Sequence, residues 1–369
     1  MSLKLRPVIN AAGTMTKYGG SRMFPKTIEA MAKASTLFLD IDTLLQESGS
    51  YIANLLNVEG ALVTAGASAG IVISTAACII GSDPYYRTKL PHYKPEMNEI
   101  VIQRCHRNPY DQAVITAGAT FVEIGDAIRT HPFDLERAIT PRTAAIFFVL
   151  QSEMLEASLT LDETIRIAHK YNKPVIVDAA AELPPKKNLW ELHHKGADLV
   201  IFSGGKEIRG PQSSGLLIGH KALVDAARLN GCPHYGIGRP MKVTKEAIVG
   251  FTVALECYLE EDEEQRFSLW KGIQNYWLEE LNNIEDLHAE PYVPTQPGIH
   301  PIIIPKVRIQ VSSPKASVSQ LCTWLSQQEQ PILVEEKKDS IILNPQVVEP
   351  NEAEILVNRI KEFFYRSIS

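Results

Sequence analysis

The sequence predicts an α/β fold: a large unit built on a mostly parallel sheet, followed by a small α+β unit. Three observations predict it. Short apolar runs alternate with helix-spaced segments from Ala61 to Ile218, as in strands joined by crossover helices. Some runs, such as Thr143 to Leu150, are apolar throughout, which suits central strands buried on both faces. Near residue 240 the character changes to a long helical stretch and then short strands. Residues 1–245 are read as the large unit with its N-terminal segment, and residues 246–369 as the small one.

Composition sets outer limits. The chain has 369 residues, 45% hydrophobic and 22% charged, which fits a globular enzyme of one large and one smaller domain. Net charge is −6 without a long basic tract, so no nucleic-acid partner is expected. The five cysteines, at 78, 105, 232, 257 and 322, have no C-x-x-C spacing. That disfavours a disulfide framework or a structural zinc site, fits a reduced cytoplasmic setting, and gives no metal ligand set. The start of the chain has no cleavable-signal pattern. Gly60 to Gly81 is uncharged and long enough to span a bilayer. It is rich in Gly, Ala, Ser and Thr, so it reads instead as a strand at Ala61–Thr64, a turn, and a buried helix from Ala69 to Ile80.

Taken in order, residues 1–25 read as a loop, with Asn10, Thr14 and several glycines suggesting backbone held close to something. Helical spacing covers Lys26 to about Leu39 and Asp42 to Leu56. The turn Ala65-Gly-Ala-Ser68 opens the next helix. Free N–H groups at its start, around Ala67, Ser68 and Ala69, suit an anion. It matches neither a Walker loop nor a dinucleotide fingerprint, and a turn packed tightly because its residues are small is the alternative. Strands follow at Glu99–Gln103, Thr120–Ile124 and Thr143–Leu150, with His106 just past the first and Gln151-Ser152 at the end of the third. Phe133–Ile139 and Leu161–Tyr171 are helical, the latter with Thr160 as N-cap.

Next come a strand ending at Asp178, a helix at Leu189–Lys195, a strand Ala197–Phe202 running into Ser203-Gly-Gly-Lys206, and an apolar run Gly215–Ile218. Beyond 240, Glu246 to about Asn283 reads as one long helix whose acidic run, 260–264, is a solvated face. Pro291 to Pro301 reads as a linker or rim loop. Strands at 306–311, 331–334 and 340–343, with helices at 317–327 and 352–365, complete the small unit.

Ligands of open α/β sheets gather outside the carboxyl ends of the strands. A lone Asp178 and a lone Lys206 at two such ends suggest pyridoxal phosphate, which takes a Lys as Schiff base and an Asp as partner of its ring nitrogen. The plainer reading of Lys206 is a surface lysine after a strand; the Asp178 strand and the Gly/Ala/Ser turn favour the cofactor. Ser203 and the 67–69 backbone would serve the phosphate, and Gly204 and Gly205 would let a flat ring approach. His106 would stack on the ring, or be a buried histidine with one hydrogen bond. Arg209 and Arg239, both in glycine-containing contexts, suit a substrate carboxylate or phosphate. A structural ion pair is the alternative for each.

The segments INAAGTMT, TAGASAG, VIVDAAAE, DLVIFSGGKEIRGPQSSGLLIG and GIGRPMKV resemble the selenocysteine-synthase-like (L-seryl-tRNA selenium transferase-like) pyridoxal-phosphate enzymes of aminotransferase fold type I. Within that group the chain looks most like the D-glucosaminate-6-phosphate ammonia-lyase branch, from about Leu5 to about Tyr258. The resemblance implies Lys206 as the Schiff-base lysine and Asp178 under the pyridine nitrogen. It places Ser68 and Ser203 near the phosphate and His106 against the ring, and implies a homo-oligomer with active sites at subunit interfaces. Arg209-Gly-Pro-Gln is more like selenocysteine synthase; the lyase branch favours an acidic residue there. The bacterial synthase carries an extra N-terminal tRNA-binding domain, whereas INAAGT here begins at Ile9.

The function expected is α,β-elimination on a small amino acid or amino sugar acid such as D-glucosaminate 6-phosphate, releasing ammonia and a 2-keto acid. Asn10, Thr14, Arg209 and Arg239 are the substrate-binding candidates. A transferase, by β-replacement or amino transfer, is the alternative. A scaffold without turnover is disfavoured, since it needs neither Asp178 nor Lys206.

Overall fold

Strands with no polar alternation need cover on both faces, and a central sheet flanked by helices supplies it. The structure, a computed structural model, describes residues 4–93, 95–150, 157–293, 303–313 and 316–367. It divides into two compact units. One is Met23–Glu260; the other joins the described residues up to Arg22 with those from Glu261 onward. The first short strand, β1 (Ile9–Asn10), belongs to the latter.

The Met23–Glu260 unit opens with α1 (Pro25–Ser35) and α2 (Ile41–Leu56), then β2 (Gly60–Thr64), α3 (Ala67–Ile80) and α4 (Pro84–Arg87). It continues with β3 (Glu99–Gln103), α5 (Gln112–Thr116), β4 (Thr120–Ile124), α6 (Pro132–Ala138) and β5 (Thr143–Val149). After α7 (Leu161–Lys170) come β6 (Val175–Asp178), α8 (Asn188–His194), β7 (Leu199–Ser203) and β8 (Gly215–Gly219). The last helices are α9 (Lys221–Asn230) and α10 (Lys245–Glu260).

Among the described residues, β2 to β8 form one seven-stranded sheet in the order β2-β8-β7-β6-β5-β3-β4. The run β7-β6-β5-β3-β4 is parallel, and β8 lies antiparallel between β2 and β7. Every position of β5 is buried, as its unbroken apolar run requires. From Ala69 to Ile79, α3 is buried at every position, which answers the membrane-like composition of this stretch. Among the described residues no helix is long and apolar enough to cross a membrane. Each fully buried Ile or Val contributes roughly 1.5–3 kcal/mol over leaving it exposed, so the sheet's interior holds the strand ends in place.

The other unit adds α11 (Glu263–Asn282), β9 (Leu287–Tyr292), β10 (Lys306–Val311), α12 (Val318–Ser326), β11 (Ile332–Leu333), β12 (Glu335–Glu336), β13 (Ile341–Leu343) and α13 (Pro350–Ser367). Among the described residues β12-β13-β10-β9 form an antiparallel sheet. β1 pairs in parallel with β11, through Ile9 with Ile332 and Asn10 with Leu333.

Several expectations are corrected. The helix expected over 26–39 stops at Ser35. The long helix expected over 246–283 is two helices, because Asp262 caps α11 by accepting from the Glu264 and Gln265 N–H groups. The acidic run therefore holds a helix break as well as a solvated face. The strand expected at 331–334 shortens to β11, and β12, which follows it at Glu335–Glu336, belongs to a different sheet. Gln151-Ser152 and residues 294–301 of the proline-rich loop lie outside the described residues.

Candidate active site

The row of paired residues Thr64, Gly215 and Ser203 crosses β2, β8 and β7 at one edge of the sheet. One strand further on, Asp178 ends β6 opposite Ile201 of β7. These strand ends hold the residues that the sequence singled out.

Asp178 is 8% exposed. Its Oδ1 accepts from the Ala180 N–H at 3.0 Å. Burial raises its carboxyl above the usual carboxylate range, against the Ala180 hydrogen bond and the charge of Lys206. Lys206, half-buried, follows β7 by three residues. Burial lowers its ammonium below the usual lysine range, against the charges of Asp178 and Glu182. Glu182, itself buried, carries no role in the sequence reading, although it closes the VIVDAAAE segment. A carboxylate four residues after Asp178, following three alanines, was the available signal.

The glycines after Ser203 also have a packing reason of their own. A Cβ on Gly204 would strike Ser214 Oγ and Phe251, and one on Gly205 would come within 2.5 Å of Gln212 Cα. They let the chain fold back on its own 210–214 segment. Gly204 N–H donates to Ser214 O and Gly210 N–H to Gly204 O, both at 2.8–2.9 Å.

The α3 N-terminus bears out the turn before it. Gly66 is the N-cap, at φ +94°, and no side chain caps the helix. The first N–H groups, at Ala67, Ser68 and Ala69, face outward from a helix with an open positive end. Gly215 holds this turn against the sheet: a Cβ there would meet Gly66 C at 2.6 Å, Thr64 Oγ1 at 2.7 Å and Ala67 N at 2.8 Å. Ser68 is exposed, and Ser203 is half-buried at the end of β7.

His106 is 1% exposed. Its ring lies edge-on to Phe148 at 4.5 Å, and its Nδ1 accepts from the Val149 N–H at 3.4 Å. Burial and a single hydrogen bond are the features of the plainer of its two readings. Arg209 adopts φ +58°, and its guanidinium lies over the Phe24 ring at 4.0 Å. Arg239 lies over Tyr235 at 5.8 Å and approaches Cys232 Sγ at 3.9 Å; its Nε is buried without a hydrogen-bond partner among the described residues. Cys232 and Gly238, from the loop that carries Arg239, line a cleft with Thr64, Ala65 and Ala69. That loop therefore borders the start of α3.

Asn10 and Thr14 belong to the other unit. The Asn10 side chain serves its own turn, donating to Gly13 O at 2.8 Å and accepting from Ala12 N at 3.0 Å. Thr14 is half-buried.

The donor set suits pyridoxal phosphate. It joins a buried carboxylate, an amine that burial drives toward its neutral form, and an uncapped helix N-terminus for an anion. The match to known proteins agrees. A model of the L-seryl-tRNA selenium transferase (SelA) family matches residues 106–273. The chain is 36% identical over 261 residues to D-glucosaminate-6-phosphate ammonia lyase of Salmonella typhimurium, covering 69% of each chain. It is also 36% identical over 267 residues to a 5'-C-glycyluridine monooxygenase-decarboxylase of a Streptomyces species, covering 70% of this chain and 65% of that one. A solved structure of D-glucosaminate-6-phosphate ammonia-lyase superposes with a TM-score of 0.86 at 28% identity, covering 100% of both chains. That overlay fixes the fold as type I. This chain therefore belongs to the selenocysteine-synthase-like family of pyridoxal-phosphate enzymes, in the company of D-glucosaminate-6-phosphate ammonia lyase.

Proposed function

We propose that the chain is a pyridoxal-phosphate-dependent ammonia lyase. Its substrate class is a small amino acid or amino sugar acid with a β-leaving group, such as D-glucosaminate 6-phosphate. The observation that carries this reading is the placing of buried Asp178 and half-buried Lys206 at the ends of two adjacent parallel strands, beside an uncapped helix start. The similarity to the named lyase supports the substrate class.

Bound pyridoxal phosphate supplies an electron sink for the pair left at the substrate α-carbon when its proton departs. The roles of the chain's own residues follow from their chemistry. Lys206 would hold the cofactor and, with its amine free, would take the α-proton. Burial helps, because a base must be unprotonated to act. Asp178 keeps a proton on the cofactor's ring nitrogen; a cation brought beside it offsets the burial that opposes its charge. The N–H groups of Ala67, Ser68 and Ala69 bind the phosphate, with Ser203 donating from the end of β7. Arg239 binds the substrate carboxylate, and Arg209, already stacked on Phe24, is the weaker candidate. Loss of the α-proton and the β-substituent, followed by replacement of the amino group by water, gives a 2-keto acid and ammonia.

A homo-oligomer is part of the proposal. Leu37, Phe38 and Leu39 form an exposed apolar loop, with Phe38 wholly uncovered, as a subunit contact would require. Light scattering of the purified protein tests this.

A panel of D- and L-amino acids and amino sugar acids, assayed for ammonia and 2-keto acid, tests the function. Ammonia without an added acceptor supports the lyase. Product formed only with an acceptor points to the transferase, a reading favoured by Arg209-Gly-Pro-Gln and the selenium-transferase family match.

A further inference from the structure

A second cluster of chemically active side chains lies at the opposite edge of the same sheet, away from Asp178 and Lys206. Glu59 immediately precedes β2, and His220 immediately follows β8, its antiparallel neighbour. His193 lies at the end of α8, where the chain turns back toward β7. The ligand atoms of these three residues lie within 4.8 Å of one another.

Their hydrogen bonds decide where the ring protons sit. His193 Nδ1 is 2.9 Å from Ala197 O, a carbonyl that can only accept, so Nδ1 carries the proton. Its Nε2 then turns a lone pair toward Glu59 Oε1, 3.8 Å away. His220 Nε2 is 3.4 Å from Asp198 Oδ1. Its Nδ1 lies 3.0 Å from both Glu59 oxygens, which can only accept, so in the metal-free chain Nδ1–H donates to Glu59. Two imidazole nitrogens and a carboxylate thus converge on one point, and a metal binding there would displace the Nδ1 proton of His220, leaving an Nε2–H to face Asp198. The nearby Lys221 ammonium is drawn off to Asp225 at 2.8 Å.

We propose that Glu59, His193 and His220 bind a divalent transition-metal ion of the zinc class, with solvent completing the coordination. Two imidazoles and one carboxylate are the donors such ions take. The outer partners are those that orient metal-binding histidines: Ala197 O behind His193 and Asp198 behind His220. Asp198 is itself fixed, accepting from Val175 N at 2.7 Å and lying 2.9 Å from His169 Nε2. Bonds of about 2.0–2.1 Å would set tetrahedral ligands roughly 3.4 Å apart. The side chains of His220 and Glu59, 42% and 55% exposed, can rotate to close that gap, while His193, 6% exposed, stays fixed. Their exposure also gives an ion its way in. The bound ion would pin the starts of β2 and β7 to the end of β8. The site shares no residue with the proposed active site, so the two stand or fall separately.

Untagged protein carrying its cofactor, stripped with a chelator and titrated with Zn²⁺ by calorimetry, tests the site. The expected result is one ion per chain, with a rise in unfolding temperature as the metal saturates. Glu59→Gln and His220→Asn, both on the surface, should each weaken binding by about tenfold or more and abolish that rise. Both should keep the parent's cofactor absorbance, which checks that they fold. Co²⁺ in place of Zn²⁺ should give visible bands of a nitrogen- and oxygen-ligated site, lost in His220→Asn. No ion bound by the parent, or equal affinity in both variants, overturns the proposal; equal affinity would place the ion elsewhere, for example at a cysteine.

Discussion

Asp178 and Lys206 stand at the carboxyl ends of neighbouring parallel strands, and each stabilises the charged form of the other while burial opposes both. In neither residue does the partner's charge outweigh the burial. A pair balanced in this way suits a bound cofactor better than a structural ion pair. In the proposed roles, the Lys206 amine would be taken up in holding the cofactor, and Asp178 would face the protonated ring nitrogen as its cation.

Asp178→Asn tests half of that relationship. An amide cannot hold a proton on the cofactor's ring nitrogen. The variant should bind cofactor but remove the α-proton about 10²–10⁴-fold more slowly. Near-normal turnover, measured by α-deuterium exchange and ammonia release, would assign the nitrogen's partner to another residue.

Gly215→Ala should act on the phosphate end. Its Cβ would press on Gly66 C, Thr64 Oγ1 and Ala67 N, all within 2.8 Å, and so displace the first turn of α3. Overpacking of this kind costs about 1–3 kcal/mol. Carried into cofactor binding, that is roughly a ten- to hundredfold loss of affinity. Fluorescence titration of the cofactor-free protein reads it, and unchanged affinity would detach the α3 N-terminus from the phosphate.

Arg239→Lys should raise KM and lower kcat together, since a point charge cannot reproduce the bidentate fork that fixes a carboxylate. The cofactor's absorbance should not change. Because the Arg239 loop borders the start of α3, loss of cofactor in this variant would assign the arginine to the phosphate.

His106 gives a prediction for stability against pH. Burial pushes its imidazole down to about 4 from an ordinary value of 6.5. Between those values the unfolded chain binds a proton that the folded chain does not. Stability should therefore fall as pH falls from about 6.5 to about 4, by on the order of 3 kcal/mol in all. Urea unfolding at pH 7 and pH 5 should show the loss, and His106→Gln should reduce it.

The sheet was legible because its strands are buried on both faces, so the apolar run 143–149 stood out and the 175–178 run ended visibly at a polar residue, Asp178. The turn at Gly66 was legible from its small residues, and the Lys206 and Asp178 strand ends from their isolation. β1 was not, because a two-residue strand carries no periodicity and its partner, Ile332, lies at the far end of the chain. The break at Asp262 was hidden because helical spacing resumes at once and a capping carboxylate looks like any other member of an acidic run. The packing reason for Gly204 and Gly205 was hidden, since nothing local reveals Gln212 and Ser214 folding back on them. The Glu59–His193–His220 cluster was invisible. Its members come from three separate connections, and only the sheet order β2-β8-β7 unites them.

The most direct test of the central claim is to find which lysine carries the cofactor. The purified protein, reduced with borohydride and digested, should yield a single pyridoxyl-labelled peptide with the label on Lys206. The Lys206→Ala variant should lose both the label and the visible absorbance. A label on any other lysine, or visible absorbance that survives in Lys206→Ala, would contradict the account.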